Sequence, residues 1–324
     1  MLYSPVQPMH IPDGFLSTPI SVIFWVLSII ALAVALKRVG KDLGERQMPL
    51  MGVLAAAIFA GQMLNFTVAG GTSGHLLGAT LATILLGPWA AMIVMTTVVS
   101  IQALIFQDGG LLALGANLFN MGVIGVTVSY FVYTSIQKMA RGKSWGIFVG
   151  GGVAAWFSIV IASLAAALQL ALSGTSPANI AVPAMAGIHM LIGIGEGLIT
   201  FGALVFLYSA RRDLLHIDEA EPKGGKAIWV GGLAIAAFLA ILSPLASAHP
   251  DGLEWVAEKN GFLEAARAPF FNIVPDYIFP GISNEALATI VAGILGALLV
   301  FGVALGVAIL RRGQKDLKHQ HPDR

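Results

Sequence analysis

Nine apolar runs punctuate this 324-residue chain, and they constrain its fold more than any single motif. They fall at about residues 17–36, 49–68, 76–86, 89–106, 111–136, 145–172, 184–210, 227–245 and 286–310. Most are near the ~20 apolar residues that a helix needs to cross a bilayer core. Backbone groups in hydrocarbon must bond within their own segment, so such runs fold as helices. The expected class is an all-α integral membrane protein. A seven-span unit is followed by a two-span unit with a loop of about 40 residues. Charged residues are only 11% of the chain, against roughly 25% in soluble domains.

The basic residues sort the loops. Lys37, Arg38, Lys41 and Arg46 form one group, Lys138, Arg141 and Lys143 another, and Arg211, Arg212, Lys223 and Lys226 a third. The positive-inside rule puts all three in the cytoplasm if the N-terminus is external and residues 76–86 count as a span. The C-terminus is then also cytoplasmic. The charge-rich stretch 213–226 divides the chain into units 1–212 and 227–324.

Net charge is +1, so no basic field for nucleic acid is expected. With no cysteine, disulfides, thiolate metal sites and cysteine nucleophiles are excluded. No Gly-x-x-x-x-Gly-Lys-Ser/Thr loop occurs, so ATP hydrolysis by this chain is not expected. Residues 1–8 lack the basic-then-apolar pattern of a cleavable signal peptide.

Met9-His10-Ile11-Pro12-Asp13-Gly14 precedes the first run. If translation starts at Met9, its amine, the His10 amide and the His10 Nδ1 can close two fused chelate rings on one metal. A planar nitrogen set of that kind suits Ni(II) or Cu(II) better than zinc, magnesium or calcium. The plainer reading is a simple Pro-Asp-Gly turn. Read through from Met1, the Met9 nitrogen is an amide. The expected functional start is therefore Met9, with Met1 to Pro8 absent.

Polar groups inside the runs are the other candidates. His75 ends the loop carrying Gly70, Gly71 and Gly74. His189 and Glu196 share a helix face, either as a relay or as a packed pair. Gln62, Asn65, Gln102, Asn117 and Asn120 are intramembrane amides suited to bonds across helices, and with Ser73 they are candidates for supporting metal ligands. Ala56 and Ala60 make a small-residue face for close helix contact, internal or with a partner subunit.

The residues Met9 to Leu16, Gly71-Thr72-Ser73-Gly74-His75-Leu76-Leu77-Gly78, Asp108-Gly109-Gly110, Leu114-Gly115-Ala116-Asn117 and His189 to Thr200 resemble the CbiM/NikM family. Its members are substrate-capture (S) subunits of energy-coupling-factor importers for cobalt and nickel. The Pro250-Asp251-Gly252-Leu253-Glu254 string resembles the CbiN/NikN partner, here fused at the C-terminus. The resemblance implies a metal held by Met9, His10 and His75, with Ni²⁺ or Co²⁺ as cargo and no permanent cofactor. It also implies a bacterial plasma-membrane location, a membrane coupling subunit and separate cytoplasmic ATPases as partners. The fused unit supplies no expected ligand, so its removal is expected to spare metal binding. A stand-alone carrier would need titratable groups through several spans, and here only His189 and Glu196 qualify. An intramembrane metalloenzyme would need an open metal position and a base, which four protein nitrogens in a plane do not provide.

Overall fold

The computed structural model describes residues 9–39, 44, 47–215 and 225–320. Met1 to Pro8 and most of the linker expected at 213–226 lie outside the described residues. Helices α1 (Thr18–Val39), α4 (Pro88–Ile105), α6 (Gly125–Ala140), α7 (Trp145–Leu172), α8 (Ala178–Ala210), α9 (Gly225–Leu242) and α11 (Glu285–Gln320) carry the long apolar runs. Seven helical stretches among the described residues are long and apolar enough to cross a membrane. α6 reaches that length only as the last part of one continuous stretch, Leu114–Ala140. That stretch begins with α5 (Leu114–Asn117) and passes through a π-helical segment, Leu118–Ile124.

Two expected spans differ. α2 (Gln47–Gln62) has 16 residues and stops where the run was expected to continue to 68. α3 (Ala79–Leu86) has eight residues, about 12 Å of helix, too short for a hydrocarbon core of about 30 Å. Between them the chain forms a hairpin, β1 (Phe66–Val68) against β2 (Thr72–Gly74), which departs from an all-α fold. Phe66 pairs with Gly74 and Val68 with Thr72. Gly70 and Gly71 turn the three-residue connection at φ of 84° and 77°, left-handed backbone that glycine adopts without steric cost. α8 also begins earlier than expected, at Ala178, and takes Pro183 inside it. Pro183 lies in the second turn, so its missing N–H costs only one bond near the helix start.

α2 is the hub. Almost all its residues are buried, and α4, α9 and α11 pack around it. Ala56 and Ala60 are fully buried on this surface. Their small face is therefore occupied inside the chain rather than free for a partner subunit. Gly232 of α9 sits on Val53, and Gly296 of α11 sits on Phe59. Small residues let these backbones approach where lipid supplies no hydrophobic drive between helices. The C-terminal helices are thus built against the first unit.

Candidate metal centre

The N-terminal hexapeptide is folded inward and held along its length. Asn117 embraces Ile11: its Oδ1 accepts from the Ile11 amide at 3.1 Å, and its Nδ2 donates to the Ile11 carbonyl at 3.0 Å. That carbonyl also accepts from Gly110 N at 3.0 Å. Asp13 takes three amides in front of α5: Leu111 at 3.1 Å, Leu112 at 2.8 Å and Ala113 at 3.0 Å. Its carboxylate caps a helix start from another part of the chain, where unpaired N–H groups favour an anion. The Pro-Asp-Gly turn is real, with Phe15 N donating to Pro12 O at 3.4 Å, and it aims this carboxylate.

These anchors bring His10 to His75. The two rings meet edge to face with centroids 5.6 Å apart. Both border a cavity of about 90 Å³ that Met9, Asn120, His189 and Asp251 also line. His75 Nδ1 donates to Leu76 O at 3.1 Å, which leaves Nε2 as its lone-pair nitrogen. Burial, followed by the charge of His10, lowers the His75 pKa to about 4, so its imidazole is neutral and able to ligate at pH 7.

His10 has a different environment. Its Nδ1 faces Asp108, 3.2 Å from the backbone oxygen and 3.3 Å from Oδ1. Burial disfavours its charge, but the Asp108 carboxylate outweighs burial and raises its pKa. Asp108 is itself buried, and the His10 cation holds its pKa down against that burial. Nε2 of His10 is buried without a hydrogen-bond partner. The chelate expected from the sequence, with Nδ1 turned to its own amide, is therefore not formed here. Among the described residues, no group of three His, Cys, Asp or Glu side chains makes a metal cage.

Glu196 and His189 separate in role. Glu196 is fully buried and accepts from Leu77 N at 2.8 Å and Gly78 N at 3.1 Å, just ahead of α3. It holds the segment that follows His75. His189 Nδ1 donates to Met185 O at 2.9 Å, and its ring lines the cavity. Gln62 Nε2 donates to Leu77 O at 2.9 Å. Asn120 and Gln169 exchange two bonds, at 2.8 and 2.7 Å, tying the π segment to α7. Gln102 and Asn65 do not line the cavity that the histidines border. The Gln102 backbone carbonyl accepts from Asp108 N at 3.1 Å. Asn65 O accepts from Ser247 N at 2.8 Å, and Ser73 Oγ donates to His249 O at 2.8 Å. Asn65 and Ser73 therefore bind the C-terminal unit.

That unit closes the cavity, which the sequence did not suggest. Asp251, Gly252 and Leu253, at the start of α10 (Gly252–Lys259), form part of its wall. Asp251 caps α10 through Glu254 N at 2.7 Å, and burial lifts its pKa to about 8. Tyr277 Oη donates to Asp108 Oδ2 at 2.6 Å. The unit that was expected to leave binding untouched thus touches the residues around both histidines.

Seven long apolar helical stretches around a histidine-flanked cavity define a multi-pass membrane protein. The comparisons identify the group: residues 10–214 match the CbiM model, a cobalt uptake substrate-specific transmembrane region, and residues 226–313 match the PDGLE domain. The chain belongs to the CbiM family and is a multi-pass cobalt/nickel transport protein of CbiM/NikMN type. It is 37% identical over 305 residues to an Archaeoglobus fulgidus protein provisionally assigned as a fused nickel transport protein NikMN, covering 94% of this chain and 98% of that one. It is 30% identical to the fused nickel transport protein NikMN of Rhodobacter capsulatus, covering 93% and 98%. A crystal structure of a truncated transition metal transporter superposes with TM-score 0.56 at 36% identity, over 62% of this chain and 98% of that chain.

Proposed function

We propose that this chain is the metal-capture subunit of an ATP-driven importer for Ni²⁺ or Co²⁺, loading its cargo from the external face. The ligands are the Met9 nitrogen, the amide and imidazole of His10, and His75. The observation that carries this reading is the meeting of His10 and His75 over a buried cavity that Met9 also lines. His75 presents Nε2. His10 offers Nδ1 beside its own amide after a half-turn of the ring away from Asp108. A nitrogen-only set favours Ni(II) over harder ions. Counted over the seven long stretches alone, without α2 and α3, Lys37 and Arg38, Lys138 to Lys143, Arg211 and Arg212, and Arg311 and Arg312 all fall on the side opposite the N-terminus, and the positive-inside rule makes that side the cytoplasm. Without a nucleotide motif of its own, it depends on separate ATPases and a membrane coupling subunit to move the metal inward.

Titration calorimetry with Ni²⁺ and Co²⁺ on the purified full chain tests the site, and cellular uptake with and without the ATPases tests the coupling. His10→Ala and His75→Ala should each abolish tight binding, and uptake should require the ATPases. Wild-type affinity in both variants would overturn the ligand set. Uptake without any ATPase would make the chain a stand-alone carrier.

A further inference from the structure

We propose that a second, larger cavity binds one phospholipid with an amine-bearing headgroup, at the membrane face where the N-terminal hexapeptide lies. The cavity has a volume of about 760 Å³, within the range of small-molecule sites. Pro12 and Asp13 line it, whereas Met9 and His10 line the metal cavity, so the hexapeptide borders both. None of Met9, His10 and His75 belongs to it, and lipid binding there is independent of the metal-ligand set.

The cavity lies at the membrane boundary. Ala103, two residues before the end of α4, and Leu111, shortly ahead of α5, both line it. Each has an apolar sequence neighbour left uncovered: Leu104 is 45% and Leu112 55% exposed. On a helix long enough to cross a bilayer, such side chains meet lipid. The loop after α10 contributes Phe270 and Phe271 to the same cavity. Phe270 is 86% exposed, and Ile273 is 48% exposed. Such apolar side chains are unfavourable in water and favourable at a lipid boundary. Hydrogen bonds keep this loop at the end of α4: Val274 N donates to Ile105 O at 3.0 Å, and Asp276 N to Phe106 O at 3.2 Å. The apolar lining therefore runs on into the lipid-facing surface of the protein.

The charges of the cavity select the headgroup. Arg267, Glu264 and Asp276 line it, and none of the three makes an ion pair among the described residues. Asp13 also lines it, but its carboxylate is already taken by three amides. One guanidinium beside two carboxylates matches a headgroup that carries a phosphate and an ammonium. Arg267 takes the phosphate, whose oxygens its planar fork suits, and Glu264 and Asp276 take the ammonium. A purely anionic headgroup would set its charge against both carboxylates. Arg267 is held in place through its backbone, which donates to Asp13 O at 2.7 Å. The acyl chain then lies along Ala103, Leu111 and the two phenylalanines.

The test uses the purified full chain, stripped of lipid in detergent and offered phosphatidylethanolamine, phosphatidylglycerol or glycerophosphoethanolamine, which is the same amine-bearing headgroup without chains. Native mass spectrometry counts what stays bound. One phosphatidylethanolamine should be retained in preference to phosphatidylglycerol, and glycerophosphoethanolamine should not displace it. Arg267→Ala keeps the backbone bond to Asp13 and should weaken retention about fivefold, the worth of one basic residue at a membrane surface. Ala268→Trp fills the cavity from an exposed position without altering a charge, and it should weaken retention too. Both positions are exposed, so melting should stay unchanged. Equal retention by the wild type and both variants would mean lipid held around the helices at large, and would overturn the proposal. So would no retained lipid, a preference for phosphatidylglycerol, or displacement by the chainless headgroup. A second measurement needs neither variant. The chain has no cysteine, so Phe270→Cys accepts a single nitroxide label in reconstituted bilayers. The label should be more accessible to oxygen than to water-soluble chromium oxalate, as at a lipid boundary, and the reverse would overturn the site.

Discussion

Asp13 and Arg267 join the two ends of this protein: the Arg267 amide donates to the Asp13 carbonyl at 2.7 Å. The same aspartate spends its carboxylate on the amides before α5. One residue of the N-terminal hexapeptide therefore registers it against both the first unit and the segment after α10.

Gly14 makes that registration possible. It sits at φ +96°, and a β-carbon there would collide with the Ala265 carbonyl oxygen. Gly14→Ala should cost about 1–3 kcal/mol from backbone strain alone. It should lower the thermal midpoint in detergent and weaken Ni²⁺ binding together. Calorimetry on the full chain checks both, and wild-type values would show that the C-terminal segment need not seat on the hexapeptide.

Glu196 satisfies two buried amides that have no other acceptor in view. Glu196→Ala should leave the Leu77 and Gly78 N–H groups unpaired, at about 1–3 kcal/mol each. Glu196→Gln keeps one acceptor oxygen and should fall between the wild type and Glu196→Ala. Thermal melting ranks the three proteins. A Glu196→Ala protein as stable as the wild type would mean that water or another group serves those amides.

Asp251 predicts a pH effect. Burial, chiefly, raises its pKa from 3.8 to about 8; the hydrogen bond from the Glu254 amide and the charge of His10 oppose it, while the carboxylates of Glu254 and Asp108 push the same way as burial. The folded protein thus favours the neutral acid. Stability linked to that form is complete below the ordinary carboxylate range and is lost as pH rises towards about 8. Asp251→Asn keeps a cap oxygen and cannot ionise. In metal-free protein its stability advantage over the wild type should widen from pH 4 to pH 8 and then level off. Asp251→Ala loses the cap, worth about 1 kcal/mol. Parallel melting curves across that range would show that Asp251 ionises normally.

The start of the chain bears on the ligand set. An α-amine titrates near pH 8, at about 7.7–8.0, so metal displaces its proton readily, whereas a peptide amide is far less acidic. The active, metal-loaded protein should therefore begin at Met9, and intact mass decides it. A metal-loaded protein that retains Met1 would remove the amine ligand and require another donor beside His10 and His75.

The long spans were legible because apolar length is a local signal that marks a helix. His10 and His75 were singled out through the family resemblance, since Met-His-Ile-Pro-Asp-Gly alone reads equally well as a turn. Asn117 and Glu196 were readable as buried polar groups, though not by their partners. Asp108 stood out only within the family-like Asp108-Gly109-Gly110 string, because what it holds, His10, is 98 positions away. Tyr277 belongs to no motif, and its hydroxyl acquires a purpose only when two units pack. The eight-residue α3 was read as a span because composition reports apolarity, not whether a helix crosses or is enclosed. The Gly70-Gly71 pair read as a loop rather than a hairpin because the flanking strands are only three residues each.

The π segment at Leu118–Ile124 sets the phase of the helix that contains it. Asn117 at its start faces Ile11, while Ser129 beyond its end bonds Thr80 on α3 at 2.6 Å. A π turn holds more residues than an α turn, so the two flanks are offset as if one residue had been spliced in. Removing one residue between 118 and 124 would bring the helix closer to regular α geometry. It would also rotate one flank against the other by about 100°, the angle per residue of an α-helix. The irregularity therefore works as a spacer: it lets a single rod meet the N-terminal hexapeptide at one end and α3 at the other, each in its own register.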